Sequence, residues 1–404
     1  MALPQHIRPI HPFPARMAPE LIWDELPENS SRRLRVLDPM AGSGTTLVVA
    51  RMRGHDVVGY DRDPLAVLIA RAWLTNIDEK ETRAKASELL RRARTRSRGL
   101  KLSDAYPRFP DAETKEFVRY WFDNVNRVQL TALSESISRL HDPSLRNVMW
   151  CAFSRLIITK RVGVSLASDV SHSRPHRTYK KAPINAFDHF ERAVKHTIRT
   201  APFKSKGRKD ARAMVNFSDA RKLPTKSNSV DMVITSPPYL NAIDYIRGHK
   251  FSLIWMGHSI KELRDIRATN VGTEAAGRRV AEDSVTDRIM KLMCRVDELS
   301  ASDAGMMRRY VHDMKAVLSE TKRVLRPGGR AVYVVGNCNI RQTFVQNSKC
   351  IEGLAAELGM IVSKKRSRPL PENRRYLPPP QSSAAGAALK KRMRQEVILT
   401  LLKP

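Results

Sequence analysis

The chain has 404 residues, 42% of them apolar, enough for one large or two modest domains with a real core. Lys and Arg together exceed Asp and Glu by 31 charges, far beyond what solubility asks for, which points to a polyanionic partner because each neutralised phosphate releases counterions; a solvated basic surface is the plainer alternative. Four scattered cysteines without CxxC spacing argue against a zinc site or disulfide framework, and the absence of a charged-then-apolar leader or an apolar run of membrane length predicts a soluble, cytoplasmic protein with no membrane partner.

His11-Pro12-Phe13-Pro14-Ala15-Arg16-Met17 is too rich in proline for a helix or central strand, so it reads as an extended arm before a short helix over 19–26. A strand over 35–38 runs into Pro39-Met40-Ala41-Gly42-Ser43-Gly44-Thr45-Thr46, a glycine turn opening a helix over 47–52, where the backbone allows a ligand close to a helix N-terminus. A second strand over 56–60 ends at Asp61, 23 residues past Asp38, the spacing at which an acidic side chain accepts hydrogen bonds from ribose hydroxyls. No Gly-Lys-Ser/Thr follows the turn, so the ligand sought carries a ribose and little or no phosphate. Asp63-Pro64 then caps a helix over 65–73.

From about 76 to 212 the pattern is mostly helical and highly basic. Arg91, Arg92, Arg94, Arg96 and Arg98 crowd into one run, and Lys204, Lys206, Arg208, Lys209 and Arg212 form a second, linker-like cluster. Between them Ser171-His172-Ser173-Arg174-Pro175-His176 is a polar loop whose donors suit phosphates or base edges, with ordinary solvated loop residues as the alternative. His172, His176 and His189 lack helical i, i+4 pairing, which argues against a metal site.

Strand character resumes at 214–217 and leads to Asp219, at a strand's carboxyl end and next to the strand over 230–234. That second strand stops at Thr235-Ser236-Pro237-Pro238-Tyr239. Tandem prolines end it and donate no N–H, leaving local carbonyls and the Ser236 hydroxyl beyond the sheet's carboxyl edge, where open α/β sheets bind ligands. Tyr239 adds a flat face, so the loop suits an amino-bearing heterocycle. An amphipathic helix over 241–257, a polar helical stretch over 261–304, a helix over 310–325 ended by Pro327-Gly328-Gly329, a strand over 330–336 and a final strand near 397–402 complete the pattern; Tyr245, Phe251 and Trp255 read as core. The tail over 366–394 holds Arg374 and Arg375 among prolines.

Together these pieces resemble the amino-methylating DNA methyltransferases, which move a methyl group from S-adenosylmethionine to cytosine N4 or adenine N6. The Asp38 to Thr46 segment looks like their cofactor loop, 235–239 like their catalytic loop, and His11 to Arg16 like the amino-terminal motif that contacts the methionine end of the cofactor. The resemblance covers about 1–75 and 213–404. It implies a doubly wound, Rossmann-like α/β methyltransferase sheet with a basic helical insertion at 76–212, a candidate target-recognition region. The family more commonly places that region beside or after the catalytic loop. The resemblance also implies S-adenosylmethionine held by His11, Pro12, Arg16, Asp38, Gly42, Gly44, Thr45, Thr46, Asp61 and Asp219, with catalysis by Ser236, Pro237, Pro238 and Tyr239. Arg92, Arg94, Arg96, Arg98, Arg174, His176, Arg374 and Arg375 are the candidate DNA contacts. Duplex DNA with a flipped target base is the implied partner, with a cognate restriction endonuclease as a further candidate. Serine at 236 leans toward cytosine N4, because adenine enzymes of the family more often carry Asp or Asn there. RNA amino-methylation and a non-catalytic nucleic-acid binder are the readings of other classes.

Overall fold

The computed structural model describes residues 7–14, 16–27, 32–160, 162–173, 175–203, 211–240, 244–273, 280–341, 343–370 and 395–404. In chain order the first part runs α1 (Pro19–Glu25), β1 (Arg35–Asp38), α2 (Thr45–Met52), β2 (Asp56–Asp61) and α3 (Pro64–Leu74). The insertion follows as α4 (Glu79–Arg98), α5 (Ala112–Trp121), α6 (Asn124–Ser138), α7 (Pro143–Ile157), a hairpin of β3 (Ala167–Ser168) and β4 (His176–Arg177), and α8 (Ala186–Thr200). The sheet resumes with β5 (Ala213–Phe217), β6 (Val230–Thr235), α9 (Ile246–Leu253), α10 (Ile260–Ala268), α11 (Ser284–Met293) and α12 (Ala301–Val324). The chain closes with β7 (Leu325–Gly336), β8 (Cys338–Ile340), β9 (Thr343–Val345), α13 (Asn347–Glu357), β10 (Ile361–Pro369) and β11 (Gln395–Leu402).

Seven strands form one sheet in the order β10-β11-β7-β6-β1-β2-β5, parallel except for β11, which runs antiparallel to both its neighbours. The order reverses on either side of β1, so this is the doubly wound α/β sheet expected from the sequence, with ligand space at the carboxyl ends of the central strands. Alternation of side chains assigns each strand to two cores. Val36, Met232, Ile234, Val332 and Val334 face one layer with α1, α2, α3, α9 and the insertion, whereas Leu37, Val58, Val233, Tyr333 and Val335 face α11, α12 and α13.

Four successive helices of the insertion open on an aspartate cap, Asp78, Asp111, Asp123 and Asp142, each accepting a backbone N–H from the first turn. The insertion is not a separate body: Val148, Phe153, Phe190 and Ile198 share one core with Leu65, Ile69 and Trp73 of α3.

Three expectations are corrected. The helix read over 310–325 begins nine residues earlier, at Ala301, because Ser300 caps it by accepting from Asp303 N. Pro327-Gly328-Gly329 does not end that helix; it is a bulge inside β7, where the register slips between Met232↔Arg330 and Val230↔Leu325. Strand β5 is not beside β6: it pairs with β2 at the sheet edge, with β2 and β1 intervening before β6. Strand β10, unforeseen, is an exposed edge bearing Lys364, Lys365, Arg366 and Arg368, whose charges discourage further strand pairing.

Asp231, the polar interruption in β6, joins three segments. Its carboxylate accepts from Arg35 N at 2.8 Å, Arg32 Nη2 at 2.7 Å and Arg326 Nη1 at 2.5 Å. Asp231→Ala should therefore lower stability by about 1–3 kcal/mol, chiefly through the stranded Arg35 N–H. In a urea titration this appears as a lower midpoint at unchanged slope.

Candidate active site

The parallel strands deliver their loops to one edge. The glycine turn folds back across β2: Ala41 N donates to Tyr60 O at 2.8 Å and Gly42 N to Asp61 Oδ2 at 2.7 Å. Gly42 (φ +50°) and Gly44 (φ +90°) occupy left-handed backbone, and a Cβ on Gly44 would lie 2.8 Å from Ala70 Cβ, so glycine there also lets α2 start against α3. Thr45 and Thr46 are buried in the first turn of α2, and the Ser43 hydroxyl is buried without a partner among the described residues.

Asp38 is buried and faces inward. Its Oδ1 accepts from Thr235 Oγ1 at 2.7 Å and from Met40 N at 3.1 Å, and Thr46 donates to the same carboxylate. Burial pushes this carboxyl up to about 6 against those hydrogen bonds, which favour the charged form. Thr235, not singled out from the sequence, thus bonds the entrance of the Ser-Pro-Pro-Tyr loop to the glycine turn. Ser236, Pro238 and Tyr239 are half-buried at the loop and Pro237 is buried. Tyr239 packs against the second core, and Gly272 sits close above it.

Asp61 is half-buried at the end of β2, and its Oδ1 also accepts from Asp63 N at 2.8 Å. Burial first, then the Asp63 charge, pushes the Asp61 carboxyl up to about 7, opposed by the two backbone N–H bonds. Each carboxylate oxygen keeps a second lone pair for a hydroxyl donor. Asp219 lies at the end of β5, clamped by Arg62 Nη1 at 2.7 Å and by Arg221 through Nε (3.0 Å) and Nη2 (2.7 Å). Burial would raise its carboxyl, but Arg221 and Arg62 hold it down at about 2. Arg221 also donates to Asp313 and to the Thr269 carbonyl, so one guanidinium positions Asp219 against α12 and α10.

The arm closes the site from the other side. The Phe13 ring lies over Gly42, 5.5 Å from the Tyr245 ring and 5.1 Å from His249. His249 is buried and paired through Nδ1 with Asp63, whose other oxygen caps α3 at Leu65 N. His11 is buried with Nε2 3.0 Å from Ser154 Oγ, so its imidazole anchors the arm to α7, while Pro12 is half-buried and Arg16 exposed. The Tyr245 ring, read as core, is half-buried and stacked on the arm. Phe13, Asp63 and His249 were missed because only contacts between distant segments mark them. Ala15 lies outside the described residues.

Of the candidate DNA contacts, Arg92 faces Glu88, Arg94 lies 3.4 Å from Asp188, and Arg96 lies 2.9 Å from Glu135. Arg98 is exposed at the end of α4 and His176 is exposed in β4. Arg174, Arg374 and Arg375 lie outside the described residues, as does the basic cluster over 204–210. Among the described residues no group of His, Cys, Asp and Glu is arranged to hold a metal, and no helix is long and apolar enough to cross a membrane.

No protein-family model matches the chain. Among curated proteins it is similar to the type II methyltransferase M.MvaI of Kocuria varians, 23% identical over 376 residues that cover 85% of this chain and 80% of that protein. It is also similar to the type II methyltransferase M.MjaII of Methanocaldococcus jannaschii, 22% identical over 327 residues, covering 61% of this chain and 62% of that protein. A solved SAM-dependent methyltransferase from Methanosarcina mazei aligns with 95% of this chain and 96% of its own at 9% identity and a TM-score of 0.32, too loosely to bear on the chemistry.

A raised carboxyl binds protons that the unfolded chain releases, so Asp61 contributes stability that is fully present below about pH 4 and is lost as pH rises toward 7. His11, His55 and His196, all held below the usual imidazole range by burial, act in the opposite direction in acid. The Asp61 contribution is therefore read as a difference. The melting temperature of Asp61→Asn relative to the unaltered protein should rise between about pH 4 and pH 7 and level off above it in calorimetry without ligand; a constant offset would refute the assignment.

Proposed function

We propose that this relative of the type II methyltransferases is a site-specific DNA methyltransferase that transfers the methyl group of S-adenosylmethionine to the exocyclic N4 of cytosine in a flipped-out base. The observation that carries the reading is the 2.7 Å bond from Thr235 to Asp38, which brings the Ser-Pro-Pro-Tyr loop against the glycine turn across two neighbouring strands. A methyl donor on the turn and an amine at the loop would then meet at one sheet edge.

The residues present fit a nucleoside cofactor. Asp61 offers carboxylate lone pairs at a strand end, the positive-φ turn exposes backbone, Ser43 keeps an unpartnered hydroxyl, and Asp219 is held ionised by two arginines. Asp61 would take the ribose hydroxyls and Asp219 the adenine amine, with Phe13 covering the turn. When bound, S-adenosylmethionine supplies an electrophilic methyl group.

The chain's own task is the nucleophile. An exocyclic amine conjugated to its ring is weakly nucleophilic because its lone pair is delocalised. Ser236 Oγ and the Pro237 carbonyl accept its two N–H bonds, holding the nitrogen toward a tetrahedral shape with the lone pair aimed at the methyl. This is positioning and electrostatic stabilisation, and no covalent enzyme intermediate is needed. Tyr239 stacks on the extruded base and offsets an unstacking cost of a few kcal/mol. Adenine N6 is the second reading, since the same loop geometry serves both amines. Digestion of duplex DNA treated with the protein and labelled cofactor, followed by mass spectrometry of the nucleosides, separates N4-methylcytosine from N6-methyladenine; label appearing only in structured RNA would overturn the DNA assignment.

Two sets of variants test the roles. Asp61→Ala should weaken cofactor binding about tenfold or more by calorimetry, the loss of a charge-assisted hydrogen bond being roughly 1.5–3 kcal/mol. Ser236→Ala should slow single-turnover methylation by up to roughly a hundred- to a thousandfold without abolishing it, because the Pro237 carbonyl remains. Tyr239→Ala should lower the rate through a stacking loss of about 1–3 kcal/mol while Tyr239→Phe stays near the unaltered rate. If Tyr239→Ala instead melts early and keeps its specific activity in the folded fraction, the ring is only core.

A further inference from the structure

The arginine run on α4 is the obvious phosphate binder in the sequence, yet three of its members are engaged with Glu88, Asp188 and Glu135. Further unengaged charge lies on the neighbouring helix, α8. Arg192, Lys195, His196 and Arg199 recur at i, i+3, i+4 and i+7 along α8, one face of a helix about 22 Å long. The opposite face of α8 is apolar, with Phe190, Val194 and Ile198 in the core, so the stripe is forced outward. Arg192, Lys195 and Arg199 are exposed, and among the described residues none has a carboxylate within ion-pair distance. With Arg83 of α4 they line a groove of about 710 Å³ in which Glu191, bonded by Ser87 at 2.6 Å, is the one acidic wall residue.

We propose that the groove between α4 and α8 binds the sugar–phosphate backbone of the duplex substrate, flanking the target base. This deepens the methyltransferase reading and rests on it. Charge complementarity names the occupant: a row of unpaired cations on a rigid helix matches a polymer bearing one charge per about 1.7 Å of duplex. The groove also lies close to the site. His196 donates to the Pro9 carbonyl, and burial together with Arg155, Arg199 and Arg8 pushes its imidazole down to about 4, so this lining residue of the groove also touches the start of the arm. From Pro9 the chain reaches Phe13, over the glycine turn, within four residues, at most about 14 Å. That distance corresponds to about four nucleotides along a strand. His196 is neutral there and contributes polarity, and the three unpaired cations contribute the charge.

The test compares the variant R192Q/K195Q/R199Q with R92Q/R94Q/R96Q and the unaltered full chain, using a fluorescent 30-base-pair duplex and anisotropy across a salt series. The α8 variant should bind at least tenfold more weakly near 100 mM salt, with the slope of log K against log salt flattened by roughly 2–3, while its melting temperature and cofactor affinity match the unaltered protein. The α4 variant should change the slope by about 1 or less. The single charge reversal Lys195→Glu provides a milder second readout, with affinity reduced at every sequence tested. An unaltered slope in both α8 variants, in a protein that still methylates duplex DNA, overturns the groove and leaves the enzyme reading standing. A chain that neither binds nor methylates duplex DNA overturns that reading, and the groove's occupant with it.

Discussion

The buried Asp38 carboxyl is the constraint on which the site depends. One side chain at the end of β1 receives the Thr235 hydroxyl from β6, the Thr46 hydroxyl from α2 and its own turn's Met40 N–H. Burying a carboxyl is costly unless its lone pairs are filled, and here the filling groups come from both loops that a methyl transfer would need to align. The same burial that raises Asp38 also excludes water from the junction. Two loops separated by nearly 200 residues are thereby bonded to one another, the alignment that in-line chemistry between a donor and an amine would require.

Around that junction a second layer sets the edge proposed to take the cofactor. Asp61 carries the turn through Gly42 N, Asp63 carries Asp61 through its own N–H, and His249 carries Asp63. Because His249 belongs to α9, the helix that follows the Ser-Pro-Pro-Tyr loop is tied to the carboxylate proposed to bind ribose. The Phe13 ring completes the contact by packing between Gly42 and the Tyr245 and His249 rings. The arm is thus held by stacking and by His11 to Ser154, not by strand pairing, as its prolines demand.

The chain's positive charges, 31 more than its negative ones, are unevenly paired. Many are engaged within the fold: Arg221 and Arg62 hold Asp219, Arg32 and Arg326 converge on Asp231, and Arg92, Arg94 and Arg96 of α4 answer neighbouring carboxylates. Exposed pairs of this last kind contribute little stability individually, but they do neutralise the local field. Arg192, Lys195 and Arg199 of α8 have no carboxylate at ion-pair distance among the described residues, which makes a residue count a poor guide to where a polyanion sits.

The sequence by itself determined the parallel sheet, the glycine turn, the proline-terminated loop and the helical character of the insertion, because each is written in local signals: short apolar runs, a glycine turn, tandem prolines and a helical pattern. It could not place β5 at the sheet edge, since strand order depends on crossovers and not on the strands' own residues. Nor could it find β10, whose basic, doubly exposed pattern lacks alternation, or see that Pro327-Gly328-Gly329 is absorbed as a bulge by strand pairing. Most of all, it could not distinguish paired from unpaired arginines. Arg96 and Arg192 look alike in a chain; only the tertiary structure sets Glu135 of α6 beside the first and leaves the second, among the described residues, without a carboxylate at ion-pair distance, because charge is neutralised by neighbours in space.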